Sequence, residues 1–137
     1  MSERAEARID AGAIERNCAL LGRCLNDGAE LCAVVKAEGY GHGAVRAARA
    51  ALAGGAGRIA VVSAPEAEQI RAALPDAPIL IMGALTPEEL SRALAVGAEV
   101  GVWREGFRRL ASRTAAELGM TAHLHVKHDS GMGRLGE

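Results

Sequence analysis

Residues 31–43 read LCAVVKAEGYGHG, and the fold prediction starts from this stretch. Five apolar residues, two of them valines, lead into a single lysine, Lys36. A segment with three glycines, Tyr40 and His42 follows. A short apolar run that ends at glycines is typical of a buried parallel strand. Because α/β folds place their chemistry at the carboxyl ends of such strands, Lys36 is the first candidate functional residue.

A second stretch, residues 123–136, reads HLHVKHDSGMGRLG and has the same layout. An apolar strand ends in Lys127, and a glycine loop leads to Arg134. Since side chains alternate along a strand, His123, His125 and Lys127 share one face. The glycines let the backbone turn back, so we expect the Arg134 guanidinium above the strand ends. A guanidinium stays charged and donates in a rigid fork, which suits a phenolate or a carboxylate.

Strands and helices alternate along the whole chain, with short connections. Strands are predicted at residues 31–36, 58–63, 78–82, 98–103 and 121–127, and helices at 11–25, 44–53, 65–74, 87–96 and 105–118. This alternation predicts an α/β fold with a parallel sheet and right-handed crossovers. An open doubly wound sheet and a (β/α)8 barrel both begin in this way, and periodicity does not choose between them.

The length of the chain favours part of a barrel over a complete one. A (β/α)8 barrel needs roughly 250 residues, and the chain has 137. If the fold is a TIM-type barrel, residues 1–137 would form its N-terminal portion, with roughly the first five βα units. We therefore expect a fragment whose remaining barrel strands lie outside this sequence.

Composition and charge exclude several classes of function. The net charge is −1 and aromatic residues make up 2%, so nucleic-acid binding has no support. No apolar run approaches the roughly 18 residues of a membrane span. Residues 1–10, MSERAEARID, lack the apolar segment of a secretory signal. Cys18, Cys24 and Cys32 form an odd set without a CxxC pair, which predicts reduced core thiols in a cytoplasmic protein.

Each candidate residue also has an ordinary structural interpretation. Lys36 can be a nucleophile that forms a Schiff base with a carbonyl, or a strand-end lysine whose ammonium only reaches solvent. Tyr40 can donate its hydroxyl to a phosphate, or be a half-buried loop tyrosine. Arg134 can bind an anion, or be a solvated arginine on a flexible loop. Composition alone leaves these alternatives open.

The histidines suggest a metal site, as in barrel hydrolases. His123-x-His125 and His125-x-x-His128 have spacings that metal ligands can adopt. However, His123 and His125 precede Lys127 on the same strand, and His128 faces the other side. We therefore predict no metal and expect His123 and His125 to join an interior hydrogen-bond network.

Together, the two stretches resemble the alanine racemase family, pyridoxal phosphate enzymes of fold type III. The family has the pattern V-K-A-x-x-Y-G-H-G, and residues 35–43 read VKAEGYGHG. The second family pattern is a lysine, two variable positions and T/S-G-M-G-R-x-G, and residues 127–136 read KHDSGMGRLG. The segment from Arg8 to Asn17 also resembles the start of the family. One departure is Glu38-Gly39, where the family more often has Asp or Asn followed by Ala.

The resemblance implies a role for each matching residue. Lys36 would hold pyridoxal 5'-phosphate as a Schiff base and act as one of two bases at the substrate α-carbon. Tyr40 would hydrogen-bond the cofactor phosphate. Arg134 would contact the cofactor phenolic oxygen and lie near the substrate carboxylate. Lys127 matches a lysine that is carbamylated in many family members, and a carbamate there could orient Arg134.

The resemblance also implies the activity of the full-length enzyme. It would be a cytoplasmic isomerase, acting as a homodimer, that interconverts L-alanine and D-alanine to supply D-alanine for peptidoglycan. The second base in the family is a tyrosine from the C-terminal β domain of a partner subunit, and that domain lies outside this sequence. We therefore expect this chain alone to be inactive and to bind the cofactor weakly.

Three alternative functions remain. The first is another pyridoxal phosphate racemase, acting on serine, lysine or a broader range of amino acids. The second is a non-catalytic barrel that binds pyridoxal phosphate, which the Gly-Met-Gly-Arg loop disfavours because that loop serves the racemase site. The third is the metal hydrolase.

Overall fold

A computed structural model describes residues 5–136 of the chain. The predicted domain, residues 1–137, therefore includes residues 1–4 and 137, which lie outside the described part. The elements follow in this order: α1 (Ala11–Gly22), β1 (Cys32–Val34), α2 (Lys36–Tyr40), α3 (Ala44–Ala53), β2 (Arg58–Val61), α4 (Ala64–Ala73), β3 (Ile79–Ile81), α5 (Pro87–Ala95), β4 (Glu99–Val102), α6 (Glu105–Glu117) and β5 (Leu124–Val126).

The five strands form one parallel sheet in the order β1-β2-β3-β4-β5. Each new strand adds to the same edge, and Val34, Ala60 and Leu80 stand in register across the first three strands. A doubly wound sheet would instead reverse its direction of growth at a switch point. The sheet order therefore selects the barrel, and the prediction of the first five βα units of a TIM-type barrel is confirmed.

The core lies between the sheet and the helices. Ile59, Val61, Ile79, Ile81 and Val100 are at most 1% exposed. The helices meet these side chains mainly with alanines: Ala47, Ala48, Ala51, Ala64, Ala67, Ala93 and Ala111. Small side chains let helices approach the sheet closely, and this explains the alanine-rich composition.

The opposite face of the sheet carries no helix within residues 5–136. On β1, Ala33 and Val35 pack against the core, whereas Cys32 and Val34 are exposed. This alternation places Cys32 and Val34 on the face that would line the barrel interior. Lys36 and Lys127 lie just beyond the carboxyl ends of β1 and β5.

Polar side chains cap the first turns of two helices. The Asp10 carboxylate accepts a hydrogen bond from the Ala13 N–H at 3.0 Å, and this bond lowers the pKa of Asp10. At α5, the Thr86 hydroxyl accepts from the Glu89 N–H and the Glu89 carboxylate accepts from the Thr86 N–H, which completes a capping box.

Several predicted details are wrong. The predicted strands are two to four residues too long, and α1 ends at Gly22 instead of residue 25. Leu21 and Leu25 have the helical spacing of an inward face with Cys18, but both are exposed. The close contact of α1 with α3 lies at Cys18, where Gly54 leaves no room for a Cβ, and Leu21 and Leu25 lie one and two turns beyond it.

The leucine that follows α6 and two of the three cysteines are also exposed. Leu118 is exposed because α6 ends at Glu117 and buries a stripe that includes Ala111 and Ala115. Of the predicted core thiols, only Cys18 is buried. Cys32 is exposed because it lies on the uncovered face of β1, and Cys24 is exposed in the segment after α1.

Candidate active site

The four predicted site residues lie on segments that leave one edge of the sheet. Lys36 begins α2 two residues after β1, and Tyr40 ends α2. Lys127 directly follows β5, and Arg134 lies on the loop beyond it. Because the strands are parallel, their carboxyl ends meet at this edge. Lys36 and Lys127 are the only lysines in the 137 residues, and every other fixed cation is an arginine.

The segment α2 is a left-handed turn. Ala37, Glu38, Gly39 and Tyr40 have φ values of 50°, 55°, 61° and 55°. Three of these four residues carry a Cβ, and the left-handed conformation costs such a residue about 1–2 kcal/mol. Backbone strain of this kind persists only where the surroundings fix it, and it is concentrated at functional sites.

Backbone hydrogen bonds close the turn. The Val35 carbonyl accepts from the Gly39 N–H at 2.9 Å, and the Glu38 carbonyl accepts from the Gly43 N–H at 2.7 Å. The Gly39 carbonyl accepts from the His42 N–H at 3.1 Å and from the His42 ring Nδ1 at 3.0 Å. His42 therefore stabilises the turn.

Gly39 places the turn on α3. It is buried, and a Cβ at this position would lie 3.2 Å from the Ala47 Cβ. Its φ of 61° is also one that glycine adopts without steric cost. The glycine thus meets both a conformational and a packing requirement.

Two acidic side chains connect the turn to α4. The Glu66 carboxylate accepts from the Ala37 N–H and from the Val62 N–H, both at 2.8 Å. Glu38 accepts from the Gln69 side-chain amide at 3.0 Å. Sequence reasoning missed Glu66, because an acid in the first turn of a helix is already favoured by the helix dipole.

The turn brings Lys36 and Tyr40 together. The Lys36 Nζ lies 6.0 Å from the centroid of the Tyr40 ring, a distance at which a cation is attracted to an aromatic face. Tyr40 is 60% exposed and Lys36 is partly buried. Residues four apart therefore present an amine and a phenol side by side at the sheet edge.

Lys127 reaches across the interior face of the sheet. Its Nζ donates to the Met82 carbonyl at 3.2 Å, at the carboxyl end of β3. The side chain passes over Gly101 of β4, where a Cβ would lie 3.2 Å from the Lys127 Cδ. Gly101 and Met82 were not identified from the sequence, and one glycine in an apolar strand gives only a weak signal of such a close approach.

Below Lys127, a polar network crosses the same face. The Glu99 carboxylate contacts the Arg58 guanidinium at 3.3 Å and the ring of His125. Arg58 also contacts Glu30 at 3.4 Å. The interior role predicted for His125 is confirmed, whereas His123 is exposed. Within residues 5–136, no three His, Cys, Asp or Glu side chains are grouped so as to hold a metal ion.

Arg134 lies on a loop that Asp129 organises. The Asp129 carboxylate accepts from the Gly131 N–H at 2.8 Å and from the Arg134 N–H at 2.9 Å. These backbone N–H groups, first that of Gly131, lower the pKa of Asp129. The Arg134 guanidinium is exposed and forms no ion pair or hydrogen bond with residues 5–136, so the structure does not join it to Lys36, Tyr40 or Lys127.

The sequence contained a signal for Asp129 that was not used. An Asp two residues before a glycine commonly accepts a hydrogen bond from the backbone N–H two residues ahead, and Asp129-Ser130-Gly131 has this spacing.

No helix in the described part of the chain is both long and apolar enough to cross a membrane.

The sheet order and the two lysines at its carboxyl edge define part of a (β/α)8-barrel protein with an amine-bearing site above the strands. A family model described as "Alanine racemase, N-terminal domain" matches residues 9–137. The chain belongs to this family.

Curated relatives and solved structures agree with this assignment. The chain is 39% identical to the alanine racemase of Desulforamulus reducens and 44% identical to that of Thermobifida fusca, with 99% of the chain aligned in both cases. It spans 37% and 36% of these relatives. The crystal structure of alanine racemase from E. faecalis superimposes with a TM-score of 0.86 at 36% identity, over 93% of this chain and 35% of that one.

Proposed function

We propose that this chain forms the first part of the catalytic barrel of a pyridoxal phosphate-dependent alanine racemase, which interconverts L-alanine and D-alanine. The observation that carries the proposal is the left-handed turn, which sets the Lys36 amine beside the Tyr40 ring at the carboxyl edge of a family barrel. Alanine is the proposed substrate because the curated relatives described above are all alanine racemases.

The residues at this edge fit the proposed cofactor. Pyridoxal phosphate has an aldehyde, a phosphate and a phenolate, and it needs an amine and donors for two anionic groups. Neither the Lys36 amine nor the Arg134 guanidinium is in an ion pair with residues 5–136, so both charges are available to a ligand. Lys36 would bind the aldehyde, Tyr40 the phosphate, and Arg134 the phenolic oxygen and the substrate carboxylate.

The bound cofactor would act as an electron sink that acidifies the α-hydrogen of the amino acid. Lys36 would then move the proton: its Nζ would take the α-proton on one face of the substrate, or return a proton there. The fixed turn would keep this amine in place through both steps. Racemisation needs a second group on the opposite face, which we assign to a tyrosine of a partner subunit outside this sequence.

Lys127 would act on Arg134 if it is carbamylated. A carbamate on Nζ keeps one N–H, which can still donate to the Met82 carbonyl. It also replaces a cation with an anion that can pair with a guanidinium. A carbon dioxide adduct would raise the intact mass of the chain by about 44 Da, and mass spectrometry of the intact chain checks this proposal. Lys127→Arg is the control, because an arginine cannot carry the carbamate.

For the full-length enzyme, we propose a cytoplasmic homodimer that supplies D-alanine for peptidoglycan. The chain alone would show no racemase turnover, since the second base and the later strands of the barrel are supplied elsewhere. Measurable turnover by the purified 137-residue chain would contradict this part of the proposal.

Borohydride trapping tests the cofactor site directly. The purified chain is incubated with pyridoxal phosphate, reduced and digested, and the labelled peptides are identified by mass. The amines that can react are those of Lys36, Lys127 and the amino terminus, so the assay distinguishes few products. We expect label on Lys36 in preference to the other two. Labelling of Lys36 that does not exceed that of the α-amine would overturn the proposal.

A hybrid enzyme tests the reaction. Residues 1–137 would replace the matching part of the Thermobifida fusca racemase, which is 44% identical over 136 residues. The proposal predicts that the hybrid interconverts the two alanine enantiomers and that Lys36→Arg abolishes this activity. A hybrid that binds the cofactor but turns over serine or lysine better than alanine would instead favour another racemase.

A further inference from the structure

One carboxylate, that of Glu66, joins the carboxyl ends of two strands. Its Oε1 accepts from the Ala37 N–H, and its Oε2 accepts from the Val62 N–H, each at 2.8 Å. Ala37 directly follows Lys36, and Val62 directly follows β2. Both oxygens of the carboxylate are thus used at the edge that holds the candidate active site.

The two hydrogen bonds have different origins. The bond to Val62 spans four residues and resembles the back-bond of an N3 acid in a capping box. The bond to Ala37 spans 29 residues, and the start of α4 does not require it. Within the turn, the N–H groups of Gly39, Gly41 and Gly43 bond to carbonyls of residues 35–38. Glu66 supplies the acceptor for the first N–H of the turn, that of Ala37.

We propose that Glu66 is a positioning residue for Lys36, because its carboxylate holds the Ala37 and Val62 N–H groups together and so fixes the left-handed turn that carries the amine. Hydrogen bonds from N–H groups to a carboxylate are stronger than those to a neutral acceptor, which suits a strained backbone. The effect on cofactor attachment rests on the proposed function, whereas the effect on the turn does not.

The variant Glu66→Gln replaces one of the two acceptor oxygens of the Glu66 side chain with an amide nitrogen. A glutamine side chain has nearly the same size, but only one of its two terminal atoms accepts a hydrogen bond, and the other donates. At least one of the Ala37 and Val62 N–H groups therefore loses its partner. Glu68→Gln is the matched control, since Glu68 lies on the same helix but binds Arg92 at 2.7 Å and does not contact the turn.

The first measurement is amide hydrogen exchange on the unmodified chain and the two variants. We expect exchange at Ala37, at Val62 or at both to rise by about tenfold or more in Glu66→Gln, as for the loss of a hydrogen bond to a charged group. Exchange at Ile59, Ile79 and Val100 in the core should stay unchanged in that variant, and the Glu68→Gln chain should resemble the unmodified one at Ala37.

The second measurement is the rate of borohydride-trapped labelling of Lys36 by pyridoxal phosphate, relative to the α-amine. Glu66→Gln should slow this relative rate by about tenfold, and Glu68→Gln should leave it unchanged. A merely structural residue would change exchange throughout the sheet and would alter labelling only through unfolding. Unchanged exchange at both Ala37 and Val62, or equal increases at these amides and in the core, would overturn the proposal.

The two proposals fail in different ways. Faster exchange at Ala37 in Glu66→Gln, without selective labelling of Lys36 in the unmodified chain, would support the role in the turn and reject the cofactor site. Selective labelling of Lys36 in both chains at the same rate would support the cofactor site and reject Glu66 as its positioning residue.

Discussion

The segments after β1 and β5 have the same sequence layout but different structures. Each begins with a lysine at the end of a strand and continues through glycines. Residues 36–43 form a strained left-handed turn that α3 and α4 hold from outside. Residues 127–136 form a loop in which Asp129 accepts hydrogen bonds from nearby N–H groups and whose arginine is exposed.

The difference shows what a neighbouring helix contributes to a loop. The turn after β1 runs directly into α3, and Gly39 packs against Ala47 of that helix. The loop after β5 has no following helix within residues 5–136, and Val126 at its base is 83% exposed. Strain can be maintained in the first segment because packing opposes its release, whereas the second segment depends on local hydrogen bonds.

The largest expected difference concerns the two lysines. Lys36→Arg should abolish preferential labelling by pyridoxal phosphate, because a guanidinium stays protonated and does not attack an aldehyde. Lys127→Arg should leave the label on Lys36, since Lys127 contacts Met82 and not the turn. Peptide mapping after borohydride reduction measures both results. Label that moves to Lys127 in the first variant would mean that the two segments are chemically equivalent.

The second difference concerns two glycines with similar backbone angles. Gly39 and Gly133 have φ values of 61° and 69°, but a Cβ meets Ala47 in the first case and nothing within 4 Å in the second. Gly39→Val should lower the free energy of unfolding by about 3–4 kcal/mol, from backbone strain together with overpacking. Gly133→Val should lower it by about 1–2 kcal/mol or less, from strain alone. Urea unfolding gives both values, and equal losses would show that packing on α3 adds nothing.

Local patterns explain why much of the fold could be predicted. The apolar run before Lys36 and the capping box at Thr86 and Glu89 are contained within a few residues, so periodicity and punctuation identify them. The choice between a barrel and a doubly wound sheet depends on which edge each strand joins. That is a long-range property, and strand order was needed to settle it.

The candidate site was predicted less completely, and for a related reason. The two lysines could be identified because each follows an apolar strand. The left-handed conformation of Ala37 and Glu38 could not, because both residues ordinarily favour right-handed helix. The Glu66 contact with Ala37 spans 29 residues, and the passage of Lys127 over Gly101 spans two strands. Neither leaves a local pattern.

A smaller effect is expected where the side chain of Lys127 crosses β4. Gly101→Ala places a Cβ only 3.2 Å from the Lys127 Cδ, so the lysine must shift and its bond to the Met82 carbonyl weakens. The loss should be about 1 kcal/mol in the free energy of unfolding, with faster reductive methylation of Lys127. Gly106→Ala is the control, because nothing lies within 4 Å of its Cβ position. Unchanged methylation would mean that the lysine avoids the new methyl group without losing its partner.

The smallest expected effect is the pH response of the second loop. Backbone N–H groups, first that of Gly131, lower the pKa of Asp129 below its ordinary value of 3.8 in the closed loop. The carboxylate therefore stabilises the loop above pH 3.8, and this stabilisation is lost as the pH falls below that value through the lowered pKa. Relative to intrinsic exchange, the Gly131 and Arg134 amides should lose protection in this range, while the Gly43 N–H, which bonds to a carbonyl, keeps it. Asp129→Asn removes the titrating group, so the same pH response in that variant would show that another residue controls the loop.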